Sequence, residues 1–276
     1  MKFNRPDRER DRKSRLDKGP LDQVRAEEHP IAIDVQNLSK HYGAKVALKN
    51  ITFQVPMGKV CCLLGPNGSG KTTLLKILAG LIEPTEGSVL IHGIDRMADP
   101  RAARGDIGWM PAEERSGLYG RITGRQNLKF FGALQGLTSE EMDRQIGNIA
   151  LQIGISDELD MNLQKISSGA KQKIGVARAL IHNPPVLLFD EPIRNLDPQT
   201  TVRFRRLLKD HLTRIQAKTI LLSTHLLEEA RRVADMIIII SNGEIVKVVE
   251  GLDLENELKA STLEEIYLKA IENPKP

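Results

Sequence analysis

Gly65-Pro66-Asn67-Gly68-Ser69-Gly70-Lys71-Thr72 satisfies the spacing G-x-x-x-x-G-K-[ST], with Thr73 next in line. Its glycines let the backbone curl until successive N–H groups face inward at the positive end of a helix, a nest for phosphate. Lys71 then reaches the terminal phosphates, and the Thr72 hydroxyl is a ligand suited to Mg2+. An accidental glycine turn before a helix is the alternative. The apolar run Lys59–Leu64 upstream and the helix-like stretch from Lys71 to about Leu81 downstream supply the context that the phosphate reading requires. The loop predicts a nucleoside triphosphate without saying which reaction follows.

Two later stations narrow the chemistry. Val186-Leu187-Leu188-Phe189 is an apolar run that ends in two carboxylates, Asp190 and Glu191. In phosphate-loop proteins an aspartate at such a strand end holds the Mg2+ shell. A second carboxylate directly after it is placed to polarise an attacking water. A solvated acidic strand end is the alternative for the pair seen alone. Ser223-Thr224-His225 follows another apolar run, Thr219–Leu222. Parallel strands bring their carboxyl ends to one crevice, so His225 should approach the same phosphate. Lys71, Glu191 and His225 are the candidate catalytic residues, and Thr72 and Asp190 the candidate metal ligands.

These side chains need a rigid frame, and the hydrophobic pattern provides one. Ile31–Val35 and Ile51–Val55 read as a strand and its hairpin partner, and Ser88–His92 as a further strand. The runs at 59–64, 186–189, 219–222 and 236–240 have the continuous apolar texture of strands covered on both faces. Asn242-Gly243 after the last of them is a hairpin turn. From about Gly117 to Arg178 the period changes to helix, with Leu128, Phe131 and Leu134 on one face and a helix start at Thr138-Ser139-Glu140-Glu141. The fold class is α/β, interrupted by a helical insert. Cys61 and Cys62 lie inside a buried strand and read as small core residues, in a chain with neither disulfide nor zinc spacing.

In this order and spacing the phosphate loop, Asp190-Glu191-Pro192 and Ser223-Thr224-His225 resemble the ATPase subunit of an ABC transporter. Ile166-Ser167-Ser168-Gly169-Ala170 stands where that family carries its Leu-Ser-Gly-Gly-Gln signature, keeping the serine and the second glycine. The resemblance covers about residues 31–250. It implies a phosphate-loop NTPase (RecA-like) core with an antiparallel β subdomain and a helical insert at about 114–180. A charged extension, 1–30, precedes this domain and a short helical tail, 251–276, follows it. It also implies that Tyr42 stacks on adenine, that Asn195-Leu196-Asp197 crosses a dimer seam, and that two copies pack head-to-tail around two ATP. Ser167 and Gly169 of one copy would then cover the ATP held by Gly65 to Thr73 of the other. The family's loop glutamine is replaced: Ala112 stands there, and Glu113, offset by one residue, is the candidate to substitute for it, a question the sequence leaves open. Leu118–Leu128, and the lack of a long carboxyl-terminal domain, resemble the exporters of drugs, polysaccharides, lipids or ions. The implied partners are a multi-span membrane permease and a second copy of the chain, on the cytoplasmic face of the cell membrane.

Composition sets the outer bounds. The 276 residues carry 40 Lys+Arg against 36 Asp+Glu, a surplus of four. Residues 1–30 hold half of that surplus, alternate in charge and are broken by Pro6, Pro20 and Pro30, so they read as a solvated tail or a docking arm. No separate basic stripe is visible, and nucleic acid is not an expected partner. The longest late apolar run, Met236–Ile240, is too short to span a bilayer. The alternative function is a non-transport ABC ATPase acting on ribosome, nucleic acid or protein. A degenerate regulatory module, hinted at by Ala112 and the loosened signature, is the third reading.

Overall fold

A computed structural model of the chain describes residues 30–100, 105–112, 117–193, 196–251, 253–254, 256 and 261–272. The extension before Pro30, Glu113 and Asn195 lie outside the described residues. The chain opens with a long hairpin, β1 (Ile31–Tyr42) and β2 (Lys45–Pro56), whose register pairs Ile31 with Pro56 and Val35 with Phe53. β3 (Val60–Leu64) delivers the phosphate loop, and α1 (Lys71–Leu78) leaves it. α1 stops before the expected Leu81 because Gly80 adopts φ 68°, closing a Schellman turn with Gly80 N–H to Ile77 O and Leu81 N–H to Lys76 O. β4 (Glu86–Ile91), β5 (Ile94–Asp95) and β6 (Ile107–Met110) follow.

The helical stretch resolves into α2 (Gly124–Leu134), α3 (Ser139–Ile153) and α4 (Ser168–Leu180), with a 3-10 turn at Leu163–Lys165. Thr138 and Glu141 form the reciprocal capping box that starts α3. The expected face of α2 holds only in part: Leu128 is fully buried, but Leu134 is 67% exposed. The helix ends there, and the close contact lies at Gly132, where an added Cβ would sit 2.8 Å from Met142 Cγ.

β7 (Val186–Asp190) is followed by α5 (Pro198–Arg206), which widens into a π-helix over Leu207–Ile215 that puts Leu208 and Leu212 in the core. β8 (Thr219–Thr224), α6 (Leu227–Val233), β9 (Met236–Ser241), β10 (Glu244–Glu250) and α7 (Leu263–Glu272) complete the described chain. Asn242 and Gly243 take φ 49° and 79°, the positive values that a tight hairpin between β9 and β10 demands.

Two sheets result. One is antiparallel, in the order β2-β1-β4-β5; the other runs β10-β9-β3-β8-β7-β6, parallel except for its β10 edge. Every residue of β3, β7, β8 and β9 is buried, as strands covered on both faces must be. Successive side chains serve opposite cores. Cys62, Leu64, Leu187 and Phe189 face the helices of the insert together with α5 and α7, while Cys61, Leu63 and Leu188 face α1 and the antiparallel sheet. Burial pushes both thiols up from their ordinary range, and neither cysteine is in a disulfide, which fits inert core residues. The strand order places β8 between β3 and β7. The loops after these three parallel strands therefore open on one edge of the sheet, where ligands of such folds bind.

Candidate nucleotide site

A cleft of about 1400 Å³ lies on that edge, lined by Asn67, Gly68, Gly70, Lys71, Thr72 and Thr73 of the loop, and by Glu191 and His225 opposite. The loop's shape is enforced by its own chain. A Cβ on Gly65 would stand 2.2 Å from Ile240 O, and Gly70, at φ 107°, would meet Leu48 Cδ2 at 2.7 Å. Gly70 caps α1 without a side-chain hydrogen bond, and the buried Ser69 hydroxyl has no partner. An anion with several acceptor oxygens would satisfy both. Lys71 is buried and donates to Gly65 O at 2.7 Å and Pro66 O at 3.0 Å. Burial pulls its pKa down, opposed by the charges of Glu191 and Asp190.

The two carboxylates divide their work by direction. Asp190 turns to the loop, accepting from Thr72 Oγ1 at 2.8 Å and from Ser223 Oγ at 2.5 Å. Glu191 turns the other way, its carboxylate 2.9 Å from His225 Nδ1. That turn requires φ 51° at Glu191, a left-handed conformation costing a non-glycine residue about 1–2 kcal/mol. It is held by Glu191 N–H donating to Ser223 Oγ at 3.0 Å and to Ser223 O at 3.2 Å. Ser223 thus ties the Asp190 carboxylate and the Glu191 backbone to β8, a role that reading its motif for the histidine alone overlooks. The register was the available signal, since Asp190 pairs directly with Ser223 across β7 and β8. Gln172 is a second addition, buried on α4 with its amide against the carbonyls of Glu191 and Pro192.

The oxygen set of Thr72 and Asp190 suits Mg2+, a hard cation that binds through one or two protein groups and completes its shell with water and phosphate. Tyr42 lines the cleft and is half exposed, with Lys40 Nζ 5.0 Å from its ring centroid. Ala112 also lines it. Ser167, Gly169 and Asp197 do not. Ser167 caps α4 by accepting from Ala170 N, and Asp197 caps α5 by accepting from Thr200 N, which holds its carboxyl below the usual range.

The family model for the ABC transporter matches residues 48–194, a span that runs from the hairpin through both carboxylates. The chain belongs to the ABC transporter family. It is an ATP-binding subunit and an ATPase of that family. Among its relatives is the ABC transporter ATP-binding protein NatA of Bacillus subtilis, 38% identical over 200 residues, which are 72% of this chain and 80% of that one. Another is the Nod factor export ATP-binding protein I of Sinorhizobium fredii, 36% identical over 80% of this chain and 63% of its own length. Among solved structures, a dimeric ATP-binding cassette in a post-hydrolysis state with ADP and Pi superimposes with a TM-score of 0.70. It is 26% identical, and the match covers 79% of this chain and 98% of that one. The ABC subunit carries no helix long and apolar enough to cross a membrane among its described residues.

Proposed function

We propose that this ABC subunit hydrolyses ATP between two head-to-tail copies, at the cytoplasmic face of the cell membrane, and drives export through a separate multi-span permease. The observation that carries the reading is the opposed setting of adjacent carboxylates, Asp190 toward Thr72 and Glu191 toward His225. Lys71 exchanges the Gly65 and Pro66 carbonyls for the terminal phosphates, which the nest from Gly65 through Gly70 to Thr73 surrounds. Thr72 and Asp190 hold Mg2+, which when bound neutralises charge on the phosphate oxygens. The Glu191 carboxylate accepts a proton from the attacking water, and His225 keeps it oriented. Tyr42 stacks on the base. Ser167 and Gly169 of the second copy aim a hydroxyl, an N–H and a helix N-terminus at the γ-phosphate, with Asp197 at the seam.

The dimeric state of the structural relative supports the paired arrangement, and the relative named for Nod factor export supports the direction of transport. Residues 31–250 form the ATPase domain in this reading, with the insert at about 114–180, the extension 1–30 before it and the tail 251–276 after it. Co-purification of the full chain from native membranes tests the proposal. The expected result is a retained multi-span membrane protein and ATP hydrolysis by the assembly. Retention of ribosomes or nucleic acid, with no membrane protein, would overturn it.

A further inference from the structure

The carbonyls of Glu191 and Pro192 lie just beyond the end of β7, where both residues are buried and no strand ladder continues. Buried carbonyls require donors, and Pro192 has no N–H with which to extend a turn. Gln172 supplies the donor. Its side chain is 5% exposed, and its Nε2 donates to Pro192 O at 2.6 Å and toward Glu191 O at 3.3 Å. The amide thus grips the peptide that sets Glu191 at φ 51°. Gln172 belongs to α4, the helix that Ser167 caps. Five residues separate the two, about 7.5 Å along one rigid helix.

We propose that Gln172 is a positioning residue that couples the two ATP sites of the dimer. The inference rests on the head-to-tail reading. There, the N-terminus of α4 addresses the partner's ATP while Glu191 of the same chain addresses its own. A shift of α4 when Ser167 and Gly169 engage the partner's phosphate is passed by the Gln172 amide to the peptide that aims Glu191. Each site then learns the state of the other through a hydrogen bond rather than through the cleft.

The test is Gln172→Met in the full chain, which keeps the length of the side chain and removes the donor. Nucleotide affinity of the isolated protomer, read by titration with a fluorescent ATP analogue, should stay within about twofold, because Gln172 does not line the cleft. Turnover should fall ~10- to 100-fold, the effect of leaving two buried carbonyls without their donor. The Hill coefficient for ATP should drop from near two, the number of sites, toward one. A residue that merely fills space would lower thermal stability and leave the Hill coefficient alone. Should Gln172→Met fail to bind nucleotide, Gln172→Asn, with the amide one methylene short, carries the same readouts. Unchanged turnover and cooperativity overturn the proposal. Reduced turnover with unchanged cooperativity makes Gln172 a local prop and overturns the coupling. Absence of ATP-dependent dimers in the unaltered chain and in Glu191→Gln alike overturns the head-to-tail reading itself, and the coupling with it.

Discussion

Two glycine-bearing turns of this molecule face opposite constraints. In the phosphate loop, a methyl group on Gly65 would collide with Ile240 O at 2.2 Å. In the signature turn, a methyl on Gly169 would find nothing among the described residues nearer than Leu196 Cδ2 at 3.9 Å. The same division runs through the polar residues. Thr72, Asp190, Glu191, Ser223 and His225 already hold one another in hydrogen bonds, and Lys71 is held by the Gly65 and Pro66 carbonyls of its own loop. Ser167 and Asp197 cap their helices, and both are exposed. One half of the site is assembled by its own chain. In the proposed reading the other half is presented outward: within the fold the Ser167 hydroxyl caps α4, and no described residue approaches Gly169 closely.

The comparison is tested hardest at Glu191. Glu191→Gln removes the proton acceptor while keeping the side chain's size, and turnover should fall ~1000-fold. ATP-dependent dimers, followed by size-exclusion chromatography, should accumulate because the bound nucleotide is no longer cleaved. Normal turnover would remove Glu191 from its role. Ser223→Ala comes next. It withdraws the hydroxyl shared by Asp190 and the Glu191 amide, and steady-state turnover should fall ~100-fold with unchanged dimer formation. The glycines then separate the halves directly. Gly169→Ala should leave thermal stability unchanged or raise it by up to about 1 kcal/mol, since alanine is the better helix former, while turnover falls ~10-fold. Gly65→Ala should cost both stability and nucleotide binding. If Gly169→Ala proved fully active, the outward half would have no partner to meet.

The assembled half was also the more legible half. The glycine-lysine spacing, the paired carboxylates and the histidine each sit at the end of an unbroken apolar run, so local pattern and tertiary position coincide. Asn242-Gly243 and the Thr138 capping box were readable for the same reason, because their chemistry acts within a few residues. What escaped the sequence depends on contacts distant along the chain. Gln172 reaches Pro192 across 20 residues, and nothing in the Lys171-Gln172-Lys173 string marks the middle residue as the buried one. Leu134 matches the helical period yet faces solvent, because periodicity records which residues share a face and not where the supporting neighbour ends. The widened helix at Leu207–Ile215 has ordinary helix-forming residues, and the packing of Leu207, Leu208 and Leu212 accounts for its burial.

The opposite edge of the central sheet supplies the smallest and most discriminating effect. β8 carries His225 just past its carboxyl end and Lys218 just before its amino end. Lys218 is 4% exposed, with Nζ donating to Asn183 Oδ1 and to Pro184 O, both at 2.7 Å. Burial lowers its pKa from 10.5 to about 8. Below pH 8 the fold therefore keeps a buried cation that the unfolded chain would solvate. Between about 8 and 10.5 the native amine is neutral while the unfolded one still binds its proton, so this group makes stability rise with pH across that window. Chemical denaturation at several pH values should show that Lys218→Met flattens this slope. Its effect on ATP turnover should stay within about twofold, since no atom of it lines the nucleotide cleft. A polar group at one end of β8 would then act on stability alone and a polar group at the other end on catalysis. Loss of turnover in Lys218→Met would mean that the assembled half of the site extends through the sheet to its far edge.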